Sequence, residues 1–434
     1  METKNPGELE FDKKLIALRR DFHRYPEPAW LEYRTTVKII EHLEKLGLHP
    51  RWGREIHVPE ARMGLPSPEA DKFWRARAIE ETGRDDLIRQ MAGGFTGAVA
   101  VIEGTLPGPS VAMRVDIDSN DLEESRDPGH RPAQMGFASC HEGAMHSCGH
   151  DGHIAIGLGT AELLARRRDR LKGRVMIIFQ AAEEGGRGAQ SLVAGGLFQG
   201  VDYFYSGHIG INNASLGTVS ASTYGFMSGT KFDVEFQGLA AHAGKAPEEG
   251  HNALAAASNA VLNMLAISRS GKGISRVNIG MMQGGSGRNV VPDHAVIRAE
   301  VRGGNQEVSD YMLGRALRVC QASADMYECG MSHEIRGRSE AAQCDMDLAE
   351  FVARSAGELP GIQDIPMASD IGAGENVTFM MNDVRRRGGK ATFMLLGADI
   401  KAPHHSRLFD YNEEVIPLSA RLFAKLAIDM GEKL

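Results

Sequence analysis

From about Leu15 to Leu46 the apolar positions recur at the three- and four-residue spacing of a helix. A polar, charge-rich stretch follows between about His57 and Gln90, which reads as a surface insertion with its own helices. Then come two short apolar runs, Gly97 to Ile102 and Ser110 to Ile117, β-branched and bounded by Gly or Pro, and so predicted as buried strands. The second run ends in Asp116 and Asp118. A helical pattern from Ile154 to Arg168 leads through Lys172-Gly173 into a strand, Arg174 to Gln180, that stops just before Glu183-Glu184. Strand, helix and strand with polar residues at the strand ends predict an α/β sheet whose ligands gather at its carboxyl edge.

Beyond about Thr218 the rhythm becomes more regular. Alternation over Lys231 to Phe236 predicts a strand, followed by a helix over Asn252 to Ile267 and strands near Arg276 to Met282 and Ala295 to Arg302. A helix over Gln306 to Ala324 and a last strand near Ser332 to Arg336 complete a β-α-β-β-α-β order, that of a ferredoxin-like split unit with its own small sheet. The expected architecture is therefore a two-domain α/β protein. A discontinuous sheet domain spans 1–217 and 338–434, and an inserted small domain spans 218–337.

Composition excludes more than it adds. At 434 residues the chain suits two ordinary cores, and its net charge of −8 leaves no basic footprint for nucleic acid. The arginine runs Arg166-Arg167-Arg168 and Arg385-Arg386-Arg387 read as solvated helix faces. Five scattered cysteines, an odd number, argue against a disulfide framework and for a reducing compartment. The start, METKNPGELEFDKK, has no apolar signal core, and no run reaches the ~18 apolar residues of a membrane span, so the expected address is the cytoplasm with no membrane partner.

Chemistry concentrates in His146-Ser147-Cys148-Gly149-His150-Asp151-Gly152-His153. Cys148 and His150 flank one glycine, a spacing that lets a thiolate and an imidazole address one ion; a turn with a buried thiol is the other reading. Glu183-Glu184 closes an apolar strand, where adjacent carboxylates are costly unless something positive lies near; an exposed loop pair is the alternative. Metal-assisted hydrolysis uses two such carboxylates, one to ligate and one free to take a proton from water. His208 follows the apolar run Val201 to Tyr205, and His404-His405 follows the strand Ala391 to Leu396. Several strands delivering Cys, His and Glu to one edge fit two ions sharing a bridge. Asp116 is the candidate acceptor that fixes a metal-binding histidine in its tautomer, or else a strand-end cap. His146 and His153 read as supporting residues.

These residues carry a resemblance to the M20 metallopeptidases, in the branch of amidohydrolases that includes aminoacylase-like and auxin-conjugate hydrolases. The matching stretches are Arg19-Arg20-Asp21-Phe22-His23-Arg24-Tyr25-Pro26-Glu27, Arg114-Val115-Asp116-Ile117-Asp118, His146 to Asp151, Gln180-Ala181-Ala182-Glu183-Glu184, Ala241-His242-Ala243-Gly244 and Asn289-Val290-Val291-Pro292. They run in order over nearly the whole chain. The charged insertion, Arg62 to Pro66 and Gly285 to Asn289 look most like the p-aminobenzoyl-glutamate-hydrolysing members.

The resemblance implies a dimeric enzyme with a di-metal site in the sheet domain, the small domain serving as dimerisation domain and lid. Cys148 would bridge the metals, His150, Glu184, His208 and His405 would ligate them, and Glu183 would be the general base. His242 would reach the partner's site to stabilise the tetrahedral oxyanion, and Arg288 and Asn289 would hold a substrate carboxylate. The reaction implied is hydrolysis of the amide in an N-acyl amino acid, with p-aminobenzoyl-glutamate or an indole-acetyl-aspartate-type conjugate as model substrates. Two divalent ions are expected, Mn or Zn, with Co and Ni also suited to the donor set.

One departure stands out. Relatives usually read Gly-Ser-Glu-Asp where this chain reads Gly374-Glu375-Asn376-Val377, so a pocket glutamate, Glu375, is kept while the next carboxylate becomes an amide. Ala181 also replaces the usual proline before the glutamate pair. The lost carboxylate motivates a second reading, an aminohydrolase releasing ammonia from an aromatic amine. A third is an inactive binding or regulatory member of a heterodimer, against which the intact donor set argues. A homodimer, or a heterodimer with a related chain, would equally place a histidine such as His242 across an interface.

Overall fold

The computed structural model describes residues 5–433; Met1 to Lys4, part of the amino-terminal stretch read above, and Leu434 lie outside the described residues. The chain divides into two compact units, one of Met1–Tyr224, Ala342–Ile371 and Asn376–Leu434, the other of Gly225–Ala341 with Gly372–Glu375. The first boundary falls after Tyr224, beyond Thr218, because Val219–Ser220 pairs with the strand Lys390–Leu396 and Thr223–Tyr224 pairs with Ser369–Asp370.

The first unit is built on a seven-stranded sheet. In spatial order its strands are Arg51–Trp52, Ala98–Glu103, Lys172–Gln180, Leu106–Asp116, Tyr203–Ile209, Lys390–Leu396 and Val219–Ser220. The four from Lys172–Gln180 to Lys390–Leu396 are mutually parallel, and the strands next to them on either side run antiparallel. Their carboxyl ends therefore meet at one edge, which is where an open parallel sheet presents its ligand residues.

Helix His150–Ala165 is buried almost throughout, so its sequence is apolar all round rather than striped. Two glycines let it approach its neighbours. A Cβ at Gly157 would stand 2.8 Å from Phe179 Cε1, and one at Gly159 would stand 2.7 Å from Leu15 Cδ1.

The helical span read over Leu15 to Leu46 is two helices, Pro6–Arg24 and Tyr33–Lys45. Pro26 and Pro28 lie between them and break the ladder, since proline lacks the N–H and restricts the residue before it. The charged insertion is less superficial than its composition implies. Its helices Pro68–Thr82 and Asp85–Gln90 bury Trp74, Ala78, Leu87 and Ile88 against Leu31, Tyr33, Val37 and Ile40, a small core of its own.

The second unit follows the chain order strand Ser228–Gln237, helix Ala253–Leu265, strands Ser275–Gly284 and His294–Gly303, helix Gln306–Met326 and strand Gly330–Ser339. Its four strands form one antiparallel sheet. Period-two alternation puts Phe232, Val234, Phe236, Ala295, Ile297 and Val301 on the face covered by the two helices. Among the described residues no helix is long and apolar enough to cross a membrane.

Candidate metal centre

The histidine-rich octet is a helix start. Gly149 takes the left-handed conformation, φ 89°, and the helix begins at His150, so Cys148 and His150 straddle the turn. His208 lies inside its strand, Tyr203–Ile209, which runs four residues beyond the apolar stretch ending at Tyr205. Glu183 and Glu184 sit in the turn after Lys172–Gln180, where Ala182 adopts a positive φ of 53°. His405 also takes a positive φ, 62°, and its N–H donates to Ser147 O at 2.8 Å. Non-glycine residues in this region cost of order 1 kcal/mol and collect at functional sites.

The sheet edge draws these donors together. Cys148, His150 and His208 form one group whose ligand atoms lie within 4.8 Å of one another; Cys148, Glu184 and His405 form a second, and His150, Glu183 and Glu184 a third. Cys148 is common to the first two, as a thiolate bridging two ions would be. Its Sγ lies 3.4 Å from His208 Nε2, and Glu184 Oε1 lies 3.2 Å from His405 Nε2. Of the consecutive pair, only His405 faces the donors, because His404 Nε2 donates to Ile209 O at 3.0 Å.

Hydrogen bonds fix the tautomers. His150 Nδ1 faces Asp118 O at 2.9 Å and Asp118 Oδ1 at 3.3 Å, so it carries the proton; Nε2 is left buried without a hydrogen-bond partner. His208 is set the same way, with Nδ1 on Ile209 O at 2.9 Å. His208 thus turns an Nε2 lone pair toward the donor groups, while at His150 burial is outweighed by Asp116 and Asp118, which raise it well above its ordinary range, so that its Nε2 would become a ligand once a cation displaces the second proton. Asp116, expected to orient a metal-binding histidine, instead accepts from His153 Nδ1 at 2.5 Å, while Arg114 Nη1 stands 2.8 Å from its other oxygen. His153 Nε2 accepts from Ile209 N at 2.9 Å, so both its nitrogens are used and it braces the strand beside His208. The residue that orients His150 is Asp118. It lies two positions after Asp116, and a period-two reading of the strand end could have found it.

The electrostatics ask for a cation. Burial, then the neighbouring Glu184 carboxylate, push the Cys148 thiol well above its ordinary range, so it stays protonated unless positive charge is brought beside it. Burial drives His208 well below its usual range, which keeps it neutral and able to donate its lone pair. Burial opposes ionisation of Glu184, but His405 and His150 outweigh it and hold the carboxyl at about 2. One thiol, three imidazoles and carboxylates, with the buried His150 Nε2 left without a hydrogen-bond partner among them, fit a pair of divalent ions.

Glu183 is held by Asn376, the amide that the sequence marked as a departure, and by Glu32, which the sequence did not point to. Asn376 is fully buried: its N–H donates to Glu183 Oε1 at 3.4 Å, and its Nδ2 donates to the carbonyls of Ala182 and Glu183, each at 3.4 Å. Its Oδ1 accepts from Gln180 Nε2 at 2.9 Å and Arg114 Nη2 at 3.4 Å. Glu32 closes the other side, accepting from Ala182 N at 2.7 Å and Thr96 Oγ1 at 2.5 Å. Behind the helix start, buried Asp151 receives Arg19 Nε at 2.7 Å and faces His23 Nδ1 at 2.8 Å.

The remaining sequence candidates lie in the second unit. His242 and Val290 form an isolated bridge, and Ala243 N donates to Asn289 O at 3.0 Å, so His242, Arg288 and Asn289 stand together on adjoining segments. Glu375 is buried and belongs to the Gly372–Glu375 segment of that unit, while its neighbour Asn376 belongs to the first.

Known proteins match this arrangement along its length. The model of peptidase family M20/M25/M40 matches residues 112–429. The chain is 41% identical over 434 residues to one of the chains of p-aminobenzoyl-glutamate hydrolase from Escherichia coli K12, covering 99% of this chain and 98% of that one. It is 41% identical over 414 residues to indole-3-acetyl-aspartic acid hydrolase of Enterobacter agglomerans, covering 95% and 94%. The crystal structure of an aminobenzoyl-glutamate utilization protein from Klebsiella pneumoniae superposes with a TM-score of 0.84 at 36% identity, covering 98% of each chain. With the donor groups at the sheet edge and these relatives spanning the whole chain, the protein belongs to the M20 peptidase family and is a metal-dependent amidohydrolase acting on C–N bonds.

Proposed function

We propose that the protein hydrolyses the amide bond of N-acyl amino acid conjugates, with p-aminobenzoyl-glutamate and indole-3-acetyl-aspartate as model substrates. The observation that carries this reading is the pair of donor groups sharing Cys148, with Glu183 beside them. The hydrolases from Escherichia coli and Enterobacter agglomerans to which the chain is similar support the substrate class. Cys148, His150, His208, Glu184 and His405 would hold the two ions, Cys148 being the donor common to both groups. Bound there, two divalent ions supply Lewis acidity that acidifies water and polarises the carbonyl.

Glu183 takes a proton from the attacking water and delivers it to the departing amine nitrogen. Asn376 and Glu32 keep the Ala182-Glu183 segment in place for that transfer. The second unit, of ferredoxin-like βαββαβ topology, serves as dimerisation domain and lid. In a dimer His242 of the partner subunit stabilises the oxyanion, while Arg288 and Asn289 bind the amino acid carboxylate. Glu375 contributes to the substrate pocket. The regular antiparallel sheet and the joint placement of His242, Arg288 and Asn289 support this assignment.

The test is amine release from both conjugates by manganese- or zinc-loaded protein, with ammonia measured in parallel on aminobenzoates. Amine release, reduced by orders of magnitude in Glu183→Ala with metal content unchanged, is the expected result. Ammonia release without amide cleavage would overturn the reading. Cys148→Ala should lose bound metal and activity together; full retention of both would remove Cys148 from the site.

A further inference from the structure

Two arginines of the first unit share one buried aromatic ring. Arg54 Cζ lies 3.8 Å and Arg62 Cζ 3.6 Å from the centroid of the Phe95 ring. Two guanidinium groups that close to one six-membered ring would overlap on a single face, so they occupy opposite faces. Neither makes an ion pair among the described residues, whereas Arg19, Arg20, Arg34, Arg114 and Arg131 each face a carboxylate. Arg62 Nη1 donates to Gly93 O at 2.8 Å and Gly94 O at 3.1 Å, yet its Nε is buried with no hydrogen-bond partner. Burial and the charge of Arg54 push Arg62 down to about 10, as expected for two cations gathered without a counter-ion.

The place of this clamp is as telling as its charge. Ala98 pairs antiparallel with Phe179, so the residues before Ala98 lie at the carboxyl edge of the parallel strands. One carboxylate, Glu32, spans from Thr96 Oγ1 to Ala182 N. Phe95 and Glu183 each adjoin one end of that link. The ring separates the two charges, and the Arg54 guanidinium, exposed and without a hydrogen bond among the described residues, is open to a carboxylate that the Arg62 charge across the ring also attracts.

We propose that Arg54 and Arg62, clamped on Phe95, form an anion subsite that takes the side-chain carboxylate of a dicarboxylic N-acyl amino acid. The inference rests on the amidohydrolase reading for its choice of ligand and makes the enzyme selective for acyl-glutamate or acyl-aspartate over their amides.

The test reads binding, not turnover. In metal-loaded Glu183→Gln protein, calorimetry compares N-benzoyl-glutamate with N-benzoyl-glutamine. The parent should favour the glutamate conjugate by about tenfold or more, the scale of one charge-assisted contact. Arg54→Gln, which removes no hydrogen bond present in the structure, should cut that ratio several-fold without altering the glutamine conjugate. Adding Arg62→Gln should bring the ratio to one. A parent that binds the two conjugates equally or not at all, or variants that weaken both to the same extent, would overturn the subsite. Cleavage of N-benzoyl-glutamate by the metal-loaded wild type, assayed beside the calorimetry, separates the two failures: no cleavage with the Arg54-dependent preference intact overturns the amidohydrolase reading alone, and cleavage without that preference overturns the subsite alone.

Discussion

Asn376 does at one position what a carboxylate could not. Its oxygen accepts from Gln180 and Arg114 while its nitrogen donates to the carbonyls of Ala182 and Glu183, so one buried side chain ties the strand end to the residue proposed as base. Asn376→Asp keeps the acceptor but loses both donations and sets a negative charge beside Glu183. A like charge favours the protonated form of its neighbour, so the acid limb of the pH–rate profile should move to higher pH by about half a unit to one unit, with KM little changed. A profile superimposable on the parent's would mean that Asn376 only packs. The exchange of Asp for Asn was visible in the sequence, but its meaning was not. Sequence spacing showed Cys148, His150, Glu183, Glu184 and His208 because strand ends and a glycine turn bring them forward. It could not show that Asn376, nearly two hundred residues away, closes on Glu183. Glu32 escaped for the same reason, as its partners Thr96 and Ala182 come from distant parts of the chain.

Between elements, the buried network of Arg19, His23, Asp151 and Glu124 locks helix Pro6–Arg24 to the first turn of helix His150–Ala165. Burial and Arg19 both oppose the charge on His23, yet Asp151 and Glu124 prevail and raise it to about 9. Its folded value exceeds the unfolded one of about 6.5, so its contribution is fully present below pH 6.5 and is lost as pH rises through 9. The melting-temperature gap between wild type and His23→Gln should therefore narrow steadily from about pH 7 to about pH 9.5; a constant gap would refute a charged His23. On the side of the same helix that meets the sheet, Gly157→Ala gains helix propensity but drives a methyl into Phe179. It should destabilise by about 1–3 kcal/mol in denaturant melts, as overpacking in a core does. Both elements were legible in outline only. The helix start at His150 was missed because Asp151, Gly152 and His153 read as loop, and their burial against the network is a tertiary fact. The break at Pro26 and Pro28 was written in the sequence but outweighed by apolar spacing on either side.

At the scale of the whole molecule, the separate cores make a distinct prediction about metal. The small unit was the easier to read, since four alternating strands with one covered face repeat a period of two. The larger one showed its central helix from Ile154 onward but hid that helix's first turn and the core of its charged insertion. All the proposed ligands lie in the first unit, drawn from Cys148 and His150 at a helix start, Glu184 and His208 at strand ends, and His405 in a late loop. Ions bound only by the folded form add stability by mass action, about 4 kcal/mol at a free concentration roughly a thousandfold above Kd. Chelation should accordingly speed hydrogen exchange across helix His150–Ala165 and the carboxyl ends of the parallel strands, while strand His294–Gly303 at the centre of the second sheet keeps its protection. Cys148→Ala in excess metal should reproduce the chelated pattern, because it removes the thiolate common to both donor groups. Equal loss of protection in both sheets would mean that the units unfold together and that the metal stabilises the chain as a whole.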